Sequence, residues 1–249
     1  MIKALFFRRF WLIRHRLKTT VSFMVLLPLL LHIGITMVMK NIVGQSMDQI
    51  PYDVWVFPGI VLLIASVSTF SLIYRDFFNL RIHKKSFIPI TLAPYGKTHL
   101  VIGFLVISII ESTVYVITAM AVLTVLLSEP LNWSAYFIVP LFTFLYTFLL
   151  GNLIITFSAL IDRISTYLSI AISMFLFILF ATGVLVEFDF YPRTVGTLLS
   201  YSPLSMILSD LRGILFFDHL EWGPIIIPIT IALGWTWMNG YLLKRKLKQ

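Results

Sequence analysis

The sequence predicts an all-α polytopic membrane protein, with six transmembrane helices, an N-terminal amphipathic interface helix and a re-entrant helical hairpin between spans five and six. Three observations predict it. First, 59% of the 249 residues are hydrophobic and 12% are charged, about half the charged share of a soluble domain, and the mean hydropathy is +0.96. Second, six runs are long and apolar enough to cross a bilayer, which takes about 20 consecutive apolar residues. Third, the Lys and Arg residues divide 16 to 3 between the two sides that six spans define, the bias of a chain with a fixed orientation across a membrane. Together these exclude a soluble globule. They also turn the formal net charge of +8 into a statement about topology rather than about nucleic acid, which is not an expected partner.

Residues 1–18 come first. Ile2, Phe6, Phe10, Ile13 and Leu17 recur at helical spacing, with Lys3, Arg8, Arg14, His15 and Lys18 around the remainder, the pattern of a helix lying in the membrane interface. Arg9 and Arg16 encroach on its apolar side, so they either snorkel to the headgroups or bind something other than lipid. The spans follow at 20–39, 54–74, 100–127, 135–161, 167–186 and 225–243, the third interrupted by Glu111. No small-residue cleavage pattern follows the first run, so it is expected to stay in place as a span.

Between spans two and three, residues 75–99 make a loop far longer than a turn and carry Arg81, His83, Lys84, Lys85, Pro89, Pro94 and Lys97, a basic surface offered to the cytoplasm. Between spans five and six, residues 187–222 contain the uncharged stretch 194–209, too short to span and broken by Pro203. A hairpin dipping into the outer leaflet fits this stretch, because non-helical backbone is tolerated at membrane depth only where protein or a wet cavity surrounds it. With no internal repeat or low-complexity linker, residues 1–249 read as one transmembrane domain.

Sixteen of the 19 Lys and Arg residues fall on one side of this arrangement, leaving Lys40, Arg193 and Arg212 on the other. By the positive-inside rule the richer side is cytoplasmic and holds both termini, in a multi-pass protein of the cell (inner) membrane. The acids complement the pattern: Asp48, Asp53, Glu129, Glu187, Asp189, Asp210, Asp218 and Glu221 lie in outer segments, Asp76 and Asp162 in inner ones.

Residues able to carry chemistry are few. There is no cysteine, hence no disulfide, thiol nucleophile or thiolate metal site. The five histidines are scattered without a pair at helical spacing, so no metal site is expected. Gly96-Lys97-Thr98 ends like a phosphate-binding loop, but Thr91 stands where that loop needs its other glycine, so ATP binding by this chain is not expected. The spans hold no aspartate pair of the kind a membrane protease uses, and no enzyme activity is expected. Asn132-Trp133-Ser134 is a glycosylation triplet too close to the membrane to count for much.

Two ionisable residues lie within spans, His32 and Glu111, each about a dozen residues from the cytoplasmic start of its run. Their similar depth allows a hydrogen-bonded pair. A charge there costs about 2.5–3.5 kcal/mol on insertion scales, which makes a proton relay one reading. A neutral Glu111 satisfied by Ser112, Tyr115 or a neighbouring helix is the other. Among the aromatics, Trp55, Trp133, Tyr136, Trp222 and Tyr241 sit near span ends as interface anchors. Phe70, Tyr115, Phe157, Phe175, Phe177 and Phe180 lie deeper, where they either pack or line a route for an apolar or sugar-bearing substrate.

Tyr201-Ser202-Pro203-Leu204-Ser205, with Asp210, Leu211 and Arg212 after it, is similar to the Asn-Pro-Leu-Thr segment, followed by an acid and Leu-Arg, that precedes the last span of ABC-2 type ABC transporter permeases. Phe57-Pro58-Gly59-Ile60 resembles the Pro-Gly that opens that family's second span. Ile88-Pro89-Ile90-Thr91-Leu92-Ala93-Pro94 resembles the leucine-rich stretch ending in Ala-Pro before the third. In the order of these motifs and in topology, the chain resembles this family, which includes polysaccharide, teichoic-acid and drug exporters, over nearly its whole length.

The resemblance implies a transport subunit working with a separate ABC ATPase in two copies, which holds the ATP and Mg, and with a second copy of this chain in the lipid bilayer. It implies ATPase contact at Arg81, His83, Lys84, Lys85, Pro94, Asp162 and Arg163, and an outer re-entrant segment around Pro203, Leu204, Asp210 and Arg212. The substrate class it implies is amphipathic, lipid-linked or drug-like. One departure is that family coupling loops commonly carry glutamate near the leucines, where this chain has Arg81, His83, Lys84 and Lys85. The competing expectation is an ion-coupled secondary transporter or channel using Glu111 and His32.

Overall fold

A chain segment surrounded by hydrocarbon must satisfy its backbone polar groups internally, and a helix does so within one segment. The structure, a computed structural model, describes residues 2–46, 49–82 and 96–246, and no strand occurs among them. The helices are α1 (Ile2–His15), α2 (Leu17–Val43), α3 (Tyr52–Ile82), α4 (Lys97–Thr124), α5 (Ala135–Leu160), α6 (Ile164–Ala181), α7 (Arg193–Ser200), α8 (Pro203–Phe217) and α9 (Gly223–Lys246). Six of these, α2 to α6 and α9, are long and apolar enough to cross a membrane, each over one of the expected runs.

Hydrophobic on every side, α3 takes the centre. Of its most apolar window 83% is buried, against 17% for α2 and 22% for α6. It packs on α4, α5 and α8, while α9 packs on α4, α5 and α8 from another side. The peripheral α2 leans on α4 and leaves Phe23, Leu26, Leu30 and Ile33 exposed; α6 leaves Leu168, Ile172 and Leu176 exposed. Apolar side chains facing outward suit a hydrocarbon surround.

Two glycines set the closest crossings. A Cβ on Gly151 would stand 2.8 Å from Leu105 Cδ2, and one on Gly240 would stand 2.9 Å from the Cα of Thr98. α5 and α9 therefore approach α4 closely because small residues let backbones meet. Each of the first two spans contains one wide π-turn, at His32–Thr36 after Pro28 and at Tyr74–Phe78. Proline lacks the N–H its turn needs, and such a local widening absorbs the mismatch in α2.

Three segments do not span. α1 is separated from α2 by Arg16 alone, where φ is −120° and ψ 29°. Its Ile2, Phe6, Phe10 and Trp11 are exposed while Arg9 is buried. α7 and α8 are joined through Tyr201 and Ser202, with Pro203 opening α8, a position that suits proline's fixed φ and missing N–H. α8 has 15 residues and reaches about 22 Å, short of the about 30 Å of a hydrocarbon core. Yet it is held by the bundle: Leu204, Ser205, Ile207, Leu208 and Leu211 are buried, and its neighbours are α3, α5 and α9.

Candidate functional site

Four polar clusters stand out, and two of them tie the non-spanning α1 and α8 to the bundle. At the first, α1 presents Arg9 to the protein. Its Nη2 donates to Glu111 Oε1 at 2.7 Å, its Nε donates to the other Glu111 oxygen, and its Nη1 reaches Asp76 Oδ2 at 3.2 Å. Arg8 Nη2 stands 3.6 Å from Asp76 Oδ1. The planar guanidinium matches the carboxylate with two parallel bonds, so Glu111 is an ion-pair partner of the N-terminal helix.

His32 takes no part in it. Phe23 of α2 and Tyr115 of α4 meet with ring centroids 6.1 Å apart. Glu111 lies one turn before that contact along α4 and His32 nine residues after it along α2, an offset of about 20 Å along the helices at 1.5 Å per residue. Equal depth for His32 and Glu111, expected from counting residues into each run, fails because the two helices are staggered: the Phe23–Tyr115 contact falls 6 residues past the start of α2 and 18 past the start of α4.

The second cluster closes the end of the bundle opposite α1. Buried Asp53 accepts from Lys40 Nζ at 3.0 Å and from Ser128 N and Oγ at 2.9 Å each. Arg212 of α8 is buried, lies 3.5 Å from the centroid of the Trp55 ring, and donates to the carbonyls of Trp55 at 3.2 Å, Gly183 at 2.7 Å and Val184 at 3.3 Å. Gly59 makes room there, since a Cβ on it would come within 3.1 Å of Val184 O and 3.3 Å of Arg212 Nη2. The Pro58-Gly59 and Leu211-Arg212 motifs, 153 residues apart as Gly59 and Arg212, thus meet at one point. Asp210 accepts from Glu221 N at 3.0 Å, and burial pushes its carboxyl up from the usual range. Pro203 opens α8 and Leu204 is buried behind it.

The third cluster joins helix ends on the side of the bundle that carries α1. Arg81 Nη1 donates to Asp162 Oδ1 at 2.6 Å, and Arg81 also bonds the carbonyl of Ile161. Lys246 Nζ approaches Asp162 Oδ2 at 3.2 Å. The Arg81 hydrogen bond, seconded by Lys246, holds the Asp162 carboxyl below the usual carboxylate range. Arg163 is exposed beside it, at the start of α6. His83, Lys84, Lys85 and Pro94 lie outside the described residues.

The fourth cluster has no counterpart among the residues expected from the sequence. Asn239 of α9 donates to the Asn152 carbonyl at 2.9 Å and to its side-chain oxygen at 3.1 Å, Thr236 donates to that oxygen at 3.1 Å, and Thr156 donates to Asn239 Oδ1 at 2.7 Å. Trp235 Nε1 completes it on Thr156 at 2.9 Å. An asparagine within each of two apolar runs was the available signal.

The deep aromatics divide rather than line one route. Phe70 packs on Tyr167 at 5.7 Å and on Phe175 at 5.5 Å, with Phe78 stacked on Tyr167 at 4.2 Å. Tyr115 sits across the bundle against Phe23, and Phe177 and Phe180 are exposed on α6. Among the described residues no group of three His, Asp or Glu side chains could hold a metal ion.

Six spanning-length apolar helices tied by buried polar clusters define a multi-pass helical membrane protein. Comparison with family models, with curated proteins and with solved structures finds no match to this chain.

Proposed function

We propose that this chain is the membrane-spanning permease subunit of an ATP-driven exporter of the ABC-2 type, moving an amphipathic, lipid-linked or drug-like substrate out of the cytoplasm. ATP and Mg belong to a separate ATPase present in two copies, and a second copy of the permease completes the pathway. The observation that carries this reading is the junction of Arg81, Asp162 and Lys246. It gathers the end of α3, the connection between α5 and α6, and the end of α9, on the side that the excess of cations makes cytoplasmic. A force applied there by ATPase closure moves three helices together, and rocking of packed helices about an interface is how such a push opens a pathway.

The other parts support the same reading. α3 is the most buried span, and Arg212 ties α8 to its outer end, so movement of α3 is felt in the α7–α8 segment. That segment serves as the outer re-entrant hairpin, and α1, with exposed Ile2, Phe6 and Phe10, serves as the interface helix of the inner leaflet. The ion-coupled alternative needs Glu111 and His32 on one proton route. Glu111's bonds to Arg9 and the offset from His32 weigh against it.

Affinity purification of the chain from its native membranes, with ABC ATPases identified among the retained proteins, tests the reading. The ATPase is expected to stay bound, and Lys84→Ala combined with Lys85→Ala to reduce the retained amount about tenfold, as for loss of two interfacial charge contacts. Unchanged retention in that variant removes the coupling role from this loop, and no retention by the unaltered chain removes the ATPase.

A further inference from the structure

Between the α1–α2 bend, α3 and α4 lies a cavity of about 220 Å³. Three arginines, Arg9, Arg16 and Arg75, reach it against one acid, Glu111. Arg9 is consumed by Glu111 and Asp76. The Arg16 side chain has no hydrogen bond or ion pair among the described residues, although it stands at the bend itself. Arg75 has two buried nitrogens, Nε and Nη2, without a hydrogen-bond acceptor, its nearest carboxylate oxygen being Asp76 Oδ1 at 3.6 Å. Thr19, Thr20 and Tyr115 also line this space, as do the apolar Phe23 and Leu72.

Donors without acceptors, a surplus of positive charge and an apolar flank call for an anion attached to something greasy. Buried donors left unpaired are costly, and guanidinium forks match phosphate oxygens. The volume is below the roughly 300 Å³ of small-molecule pockets, enough for a headgroup and too little for acyl chains, which must leave sideways along the exposed faces of α2 and α4. We propose that this cavity binds the phosphate of an anionic phospholipid of the inner leaflet, held by Arg16 and Arg75, as a resident lipid that seats the bend between α1 and α2. The proposal rests on the orientation assigned above and not on ATP-driven export.

The chain alone, delipidated in neutral detergent, is titrated with phosphatidylglycerol, phosphatidylcholine and soluble glycerol phosphate, and bound ligand is counted by native mass spectrometry. Saturable binding of one phosphatidylglycerol is expected, with phosphatidylcholine and glycerol phosphate at least tenfold weaker. Arg16→Gln and Arg75→Gln should each weaken it about tenfold, while Lys3→Gln, on an exposed part of α1, should not. Equal binding of the two lipids, equal binding of glycerol phosphate, or no loss in either arginine variant overturns the site. Because the arginine variants can fail to fold, a phosphatidylglycerol with a photoreactive headgroup is also cross-linked to the unaltered chain. Adducts within 12–23, 68–75 or 111–115 are expected, and adducts elsewhere alone overturn it. No ATPase is present, so failure here leaves the exporter reading standing, and the reverse.

Discussion

Of the six cations among the first 18 residues, Arg9 alone is buried. Breaking a buried pair by removing one member costs about 3–5 kcal/mol, because the other charge is left without compensation. Arg9→Ala or Glu111→Gln should therefore lower the thermal midpoint by about 10 °C, at the 2–4 °C per kcal/mol typical of a chain this size. Arg9→Met with Glu111→Leu should recover most of that loss, since replacing both charges with apolar groups is nearly neutral. A double variant as unstable as the singles shows that packing, and not the ion pair, is at stake. Both residues were legible in the sequence as misfits on apolar faces. Their pairing was not, because it joins positions 102 residues apart and depends on which helices become neighbours.

Asp162 makes a pH prediction of definite sign. Its folded pKa is depressed by Arg81, so the junction's contribution is fully present above the ordinary carboxylate value near 4 and is lost only as pH falls through the lower folded value. Asp162 is exposed, which limits the contribution to about 1 kcal/mol or less. The thermal midpoints of the chain and of Asp162→Asn should differ by about 2 °C at neutral pH and converge in strong acid. A difference that instead vanishes as pH rises toward neutrality reverses the sign and refutes the pairing.

At the scale of elements, spans were easy to read and contacts between them were not. All six runs became helices because length and apolarity alone decide that in a bilayer. The short helices were half legible: Pro203 marked the break between α7 and α8, and Tyr201 and Ser202 are that break. What fixes α8, the Arg212 contact with three carbonyls over Trp55, was legible only through the two motifs and not as geometry. The crossing of α9 on α4 at Gly240 had no sequence signal apart from a glycine in an apolar run. Gly240→Leu should separate these helices, since its Cβ would stand 2.9 Å from the Thr98 Cα. A loss of about 2–3 kcal/mol, as for overpacking of a tight interior, is expected in thermal unfolding. Gly34→Leu should be tolerated in the same measurement, because nothing lies within 4 Å of a Cβ there.

For the whole molecule, the polar clusters tie the helices together at both ends of the bundle. The end that carries α1 joins α3, α5–α6 and α9 through Arg81, Asp162 and Lys246, and the opposite end joins α2 to α3 through Asp53 and α8 to α3 through Arg212. α3 runs between them as the buried axis. Reconstitution of the chain with its ATPase in proteoliposomes tests ATP-driven export most directly, by following ATP hydrolysis and the movement of a fluorescent amphiphile together while a proton gradient is imposed or collapsed. Movement is expected to require the ATPase and ATP, to persist without the gradient, and to uncouple from hydrolysis when Arg81→Ala and Asp162→Ala are combined. Movement driven by the proton gradient through this chain alone, with no ATP present, contradicts it.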